Sequence, residues 1–321
     1  MTTSPGWSSG RRRRGDTVFR WSTTAGGLVV LLLLAAITAF LVVRAIPALT
    51  QDRGSFFTTR QWDPDGSQVF GIAALAFGTV LSSILALLLA VPVAIGAAVF
   101  VTQYAPRRIG IALGWLVDLL AAVPSVVYGL WGYFFLLPHL VPVQGFLAGA
   151  FGWIPLFADP NGQANTFSKS IFGASIVLAI MVVPVVSAVS REVMAQADPA
   201  QREGALALGA THWEAIRVAV LFPSRPGLVS AAMLGLGRAL GETIAVAIVI
   251  GSSFAIDWHV LVPGGNTIAA NIANRFGEAG SLGRSALIAS GLVLFIITLV
   301  VNLGARVVIA RSGVREKSAA L

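Results

Sequence analysis

The sequence predicts an all-α, polytopic membrane protein with six transmembrane helices, and three observations lead there. Hydrophobic residues make up 56% of the 321 and charged residues only 11%, against roughly 45–50% and 25% in soluble domains. Mean hydropathy is +0.83, so a soluble enzyme would have too little polar side chain to cover its surface, and a disordered chain would be far less apolar. Six stretches reach the roughly 20 apolar helical residues needed to cross a hydrocarbon core. Cysteine is absent, which removes disulfide frameworks, thiolate metal sites and Cys nucleophiles together.

Taken in order, residues 1–24 are rich in Ser, Gly and Arg and read as a cytoplasmic basic tail lying against anionic lipid. The Arg11–Arg14 run could meet nucleic acid, but its place before an apolar span makes a topology signal the better reading. Residues 25–49 form the first transmembrane helix. A signal peptide shares this outline, yet the apolar stretch is too long and no small-residue cleavage site follows. Residues 71–310 form the main transmembrane domain. Its spans are Gly71–Val101, Ile111–Leu137 (carrying Asp118), Ile171–Ser190, Leu228–Phe254 (carrying Arg238 and Glu242) and Ala286–Ala310. Residues 311–321 are a cytoplasmic C-terminal tail. Pro92, Pro124 and Pro184 interrupt spans two, three and four. Each removes a backbone donor, and in lipid the freed carbonyl needs a partner in protein or a wet cavity. Lining of a pathway and plain kinking fit these prolines equally well.

Fifteen Lys and Arg residues fall on the side that holds both termini, the loop after span two and the loop after span four; five fall on the other. The heavier side is expected to be cytoplasmic.

Residues 191–227 form the longest polar segment on that side. Asp198, Pro199 and Gln201 stand where a helix start wants a cap, a first-turn proline and a capping-box partner. The helix runs to Leu208, and Gly209 can take the left-handed conformation that ends it. Thr211 and Glu214 form a second capping box, opening a helix expected to end near Phe222, before Pro223 and Pro226. Two short helices joined by a tight glycine turn suggest DNA binding, but Leu and Ala stand where a recognition helix would be polar. Ala205, Leu206 and Leu208 instead need a protein partner, or the inner ends of the membrane spans, to cover them.

The run EGALALG, Glu203–Gly209, resembles the EAA loop of binding-protein-dependent ABC importer permeases. Glu203, Gly204, Ala205 and Gly209 match it, and Leu221 fits its later Leu, whereas Phe222 stands where that loop usually has Pro. The resemblance implies that Glu203, Gly204, Ala205, Leu206 and Gly209 form a coupling helix gripped by a separate ATPase.

In span five, Arg238 and Glu242 are four apart and would share one helical face near mid-membrane. Intramembrane ionisable residues are functional candidates by default, since one alone costs roughly 2.5–3.5 kcal/mol on insertion scales. A clasp that merely orients helices is the plainer reading. If the cargo is an oxyanion, the forked donors of Arg238 suit it, and Glu242 would offset the charge of the empty site. Gly237 and Gly241 form a small-xxx-small pair expected to let another helix approach.

The stretch GRALGETIAVAIVIG, Gly237–Gly251, is similar to the PstC family of phosphate importer permeases, as are VPSVVYGLWG at Val123–Gly132 and SALIASGLVLFIITLVVNLGAR at Ser285–Arg306. This implies a type I ABC importer permease (MetI-like) fold, a translocation pathway at Arg238, Glu242 and Thr243, and helix packing at Pro124, Gly237 and Gly241. It also implies a bacterial inner-membrane complex. The partners are a second, PstA-like permease, a PstB-like ATPase dimer and an extracytoplasmic PstS-like phosphate-binding protein. No GxxxxGK[ST] loop is present, so ATP is expected on the ATPase, with no cofactor and no enzyme activity in this chain. His139, His212 and His259 lack metal-ligand spacing. Asp118 is expected either to lie wet near a cytoplasmic end or to pair with an Arg such as Arg108, and Arg44 is expected to snorkel to the interface. The rivals are a permease for sulfate or molybdate, a secondary anion transporter, and a scaffold that only signals phosphate status.

Overall fold

The computed structural model describes residues 14–167 and 169–317, with side chains over 17–167 and 169–307. The tail residues 1–13 and 318–321 lie outside the described residues, and so do the expectations placed on them. Twelve helices and one small hairpin follow in order among the described residues. Helix α1 spans Arg14–Gln51, so residues 14–24 are helical rather than a loose tail. Strands β1 (Trp62–Asp63) and β2 (Val69–Phe70) pair antiparallel. The Asp63 carboxylate accepts from the backbone N–H groups of Ser67 and Gly66 across the turn. The Ser67 bonds hold its pKa below the usual carboxylate value.

Helix α2 is Ala73–Val99 and runs on through a π-helical turn at Phe100–Tyr104. Helix α3 is Arg107–Ala121. Helix α4 is Ser125–Trp131 and passes through a π turn into α5, Leu137–Phe151. Helix α6 is Ile171–Ala195, α7 Pro199–Ala207 and α8 His212–Ile216. The last continues through a π turn at Arg217–Leu221 into α9, Phe222–Gly241. Helices α10 (Ile244–Val249), α11 (Ile268–Arg275) and α12 (Ser281–Lys317) complete the chain.

Among the described residues, six helical stretches are long and apolar enough to span a membrane: Thr17–Gln51, Ala73–Tyr104, Ser125–Phe151, Ile171–Ala195, His212–Gly241 and Ser281–Val307. Six were expected, but two differ in place. The third was expected at Ile111–Leu137; residues 107–121 instead form α3, with Ile111, Trp115, Leu116 and Leu119 exposed on one side, and the span starts after Pro124. Pro124 is therefore the N-cap of α4 rather than a kink inside a helix. The fifth span begins at His212, because Pro223 and Pro226 fall inside a helix that never breaks there. Pro223 removes one backbone donor from this continuous helix, and the π turn just before it absorbs the change of path. Likewise α12 continues to Lys317 where a tail was expected from residue 311.

Helix α6 is the centre of the bundle. Two thirds of its most apolar 18-residue stretch is buried, against none of α1's. It packs most extensively on α2, whose Ala86, Ala90, Ala94 and Ala98 are fully buried at four-residue spacing; small side chains let membrane helices approach closely. Helix α9 meets α6 by the same device. A Cβ on Gly235 would lie 2.6 Å from Val186 and 2.8 Å from Val182, and Gly227 presses on Val193. With Ala231 and Ala239, both buried, these form one small-residue stripe. A Cβ on Gly237 or Gly241, expected as the packing pair, would meet nothing of a neighbouring element within 4 Å among the described residues.

Candidate functional site

The fifth span breaks where its charges lie. Helix α9 ends at Gly241, and Glu242 is extended (φ −67°, ψ 126°). Its carboxylate accepts from the Ala245 backbone N–H at 3.1 Å, capping α10. Thr243 donates its hydroxyl to the Gly241 carbonyl at 3.1 Å. Arg238 and Glu242 therefore do not share a helical face, and among the described residues no carboxylate lies within 4.0 Å of Arg238. The shared face was inferred from i,i+4 spacing, which holds only while the helix continues. Arg238 stands instead in the last turn of α9, where the free carbonyls favour a cation. Its Nε is buried and has no hydrogen-bond partner. Gly235 faces Val182 and Val186 near the middle of α6, so Arg238 lies about 4.5 Å farther along the axis.

The third span starts beside this break. Between α3 and α4, the Tyr128 hydroxyl donates to the Leu120 carbonyl at 2.9 Å, bridging the gap at Pro124. Gly129, the next residue, lets α10 approach: a Cβ there would lie 2.8 Å from the Ala245 Cα. Arg238 stands at the end of α9 that leads into α10. The interrupted fifth span and the start of the third thus meet beside a guanidinium whose Nε has no partner, while the Tyr128 and Thr243 hydroxyls donate to the backbone. Such an arrangement suits an anion, because irregular backbone at membrane depth is tolerated where it lines a cavity. Tyr128 was not singled out in the sequence; its one signal is a lone phenol one helical turn after a proline that starts a span.

The second cluster lies at the opposite end of α9. Asp198 accepts from the Ala200 N–H at 2.9 Å and Pro199 opens α7. Gly209 turns the chain at φ +88°, and Thr211 and Glu214 cap α8 reciprocally. This elbow has two unlike sides. Glu203, Gly204, Leu206 and Gly209 are exposed and Ala205 half-buried, while Ala215 and Ile216 are buried. Ile216 packs with Ala98, Val99, Met194, Val220 and Leu228, the ends of α2, α6 and α9. Arg202 donates to the Gln103 side chain at 3.0 Å. Asp118 pairs with Arg191 at 2.6 Å, not with Arg108. It lies on α3, and Gly114 one turn earlier presses on the same Arg191.

Comparison with known proteins follows the same lines. Residues 90–313 match the family model described as "Binding-protein-dependent transport system inner membrane component". The chain is 46% identical over 299 residues to "Phosphate transport system permease protein PstC 2" of Mycobacterium tuberculosis, covering 92% of each. It is 38% identical to "Phosphate transport system permease protein PstC" of Haemophilus influenzae, covering 92% of this chain and 93% of that one. Among solved structures it resembles a bacterial ABC transporter involved in the import of the acidic polysaccharide alginate. The TM-score is 0.59 at 19% identity, covering 94% of this chain and 99% of that one; the likeness is one of fold.

Proposed function

The chain belongs to the family of binding-protein-dependent transport system inner membrane components, and from that membership we propose that it is one permease subunit of an ATP-driven phosphate importer. The observation that carries phosphate as cargo is the kinship, across nine tenths of the chain, with permeases of phosphate transport systems. Neither a sulfate or molybdate permease nor a secondary anion carrier is favoured.

In this reading the face bearing the α7–α8 elbow is cytoplasmic, as are both termini, which agrees with the excess of Lys and Arg there. A PstA-like second permease completes the pathway, a PstB-like ATPase dimer grips the elbow through Glu203, Gly204, Ala205, Leu206 and Gly209, and a PstS-like protein delivers phosphate on the other side. Arg238 offers donors to the oxyanion, and the Thr243 hydroxyl, once turned from the Gly241 carbonyl, offers a neutral one. A single cation keeps the site weak enough to release its cargo. The ATPase biases a two-state bundle, opening to one side and then the other.

Labelled-phosphate uptake in cells lacking this chain tests the reading. Rescue is expected with the intact chain. It should fail with Arg238→Gln and with Glu203→Arg, both assembled into the complex at normal levels. Normal uptake with Arg238→Gln would overturn the pathway assignment, and phosphate transport by the purified chain alone would overturn the reading as a whole.

A further inference from the structure

The face opposite the elbow carries a site unrelated to translocation. Two adjoining cavities, each of about 510 Å³, lie between α1 and the start of α12 and share Phe40, Arg44, Pro47 and Ser285. Together they form a graded groove. Its end nearer the membrane middle is apolar, with Ala39 and Val43. Its end at the helix termini holds the polar side chains Gln51, Ser281 and Arg284 among the apolar Phe276, Leu282 and Ile288. From Ala39 to Gln51 it follows α1 for about 18 Å at 1.5 Å per residue. A polar end at the membrane surface above an apolar channel is the shape of a phospholipid.

The charges give the sign of the head group. Arg44 does not extend toward the helix end as expected; its guanidinium sits 5.6 Å from the Phe40 ring, one turn deeper. Arg284 stands in the first turn of α12, where free backbone N–H groups already carry partial positive charge. The carboxylate at that helix start, Asp65, accepts from the Gly280 and Gly283 N–H groups. Among the described residues no carboxylate lies within 4.0 Å of either arginine. Arg284 donates its Nε to the Ala279 carbonyl, and its terminal nitrogens carry no hydrogen bond. Two uncompensated cations on one apolar groove call for an anion with a tail.

We propose that this groove binds an anionic phospholipid, its phosphodiester held between Arg44 and Arg284 and an acyl chain lying along Ala39, Phe40 and Val43. The lipid would extend the contact that α1 already makes with α12 through the buried Ala45 and Ala48.

The test is native mass spectrometry of the assembled transporter with added phosphatidylglycerol or phosphatidylcholine. Phosphatidylglycerol should bind in preference. Arg44→Gln with Arg284→Gln should weaken it by about 30-fold, taking roughly fivefold for each basic side chain at an anionic surface. Arg53→Gln with Arg60→Gln, outside the groove, should leave binding unchanged. Equal binding by the double variant, equal binding of phosphatidylcholine, or displacement by excess inorganic phosphate would each overturn the proposal. If the double variant fails to assemble, a photoactivatable phosphatidylglycerol on the unaltered complex decides. Crosslinks within residues 39–51 and 276–288 support the site, and their absence there, or protection of these residues by another subunit, overturns it. None of these readouts depends on phosphate transport.

Discussion

At Glu242, the structure changes what a single side chain is for. Spacing alone makes this residue the counter-charge of Arg238, whereas the geometry makes it the cap of α10 through the Ala245 N–H. The two roles respond differently to substitution. A cap needs an acceptor, which Gln retains and Ala lacks; loss of a capping side chain costs about 0.5–2 kcal/mol. Glu242→Ala is therefore expected to lower the thermal midpoint of the purified complex and Glu242→Gln to leave it nearly unchanged, as read by differential scanning fluorimetry. A counter-charge would give equal losses for both, because either removes the carboxylate. Arg238 itself was legible in the sequence, since a guanidinium inside an apolar span is conspicuous in any window. Tyr128 was not, because its meaning lies in Leu120 across the helix break at Pro124 and in the approach of α10 at Gly129, and neither follows from local pattern.

Among the helices, count was legible and placement only partly so. Hydropathy finds α3 because Ile111, Trp115, Leu116 and Leu119 are apolar, but it cannot tell a helix with one exposed apolar side from the lower end of a span. The punctuation at Pro124 was in plain view: the residue before a proline is pushed out of the helical region, so the break precedes it and a new helix follows. The elbow, by contrast, was read nearly complete, since caps and left-handed turns are local chemistry, as Asp198, Gly209, Thr211 and Glu214 show. Helix packing was the least legible property, because glycine is abundant (34 residues) and the pattern does not say which glycine meets a neighbour. The pair at Gly237 and Gly241 faces away from the chain, and the contact belongs to Gly227 and Gly235. Gly235→Leu should destabilise the complex by about 1–3 kcal/mol, as overpacking of a tight contact does, with Gly237→Ala within about 0.5 kcal/mol of the unaltered protein. Thermal unfolding of the two variants side by side checks this. Equal losses would mean that a second subunit packs on Gly237 as tightly as α6 packs on Gly235.

For the molecule as a whole, the question is how a push on an exposed elbow could reach a site at membrane depth. Leu208, at the end of α7, is 91% exposed, so it contributes almost nothing to the fold of this chain. Ile216, two turns farther on, is wholly buried and joins the ends of α2, α6 and α9. The same α9 carries Arg238 at its other end with no break between, and α6 carries the Asp118–Arg191 pair that ties in α3. Displacement of the elbow would therefore move α9 as a rod and shift Arg238 against the Tyr128 end of α4. Separating docking from transmission needs two substitutions of opposite character. Leu208→Asp should leave thermal stability within about 0.5 kcal/mol, yet abolish co-purification of the ATPase and, with it, phosphate uptake. Ile216→Ala should destabilise the complex by about 2–5 kcal/mol, the usual cost of truncating a buried aliphatic side chain, while the ATPase still binds what remains folded. If Leu208→Asp instead retained the ATPase and full uptake, the exposed side of α7 would not be the surface on which the engine acts, and the continuous α8–α9 rod would have no input.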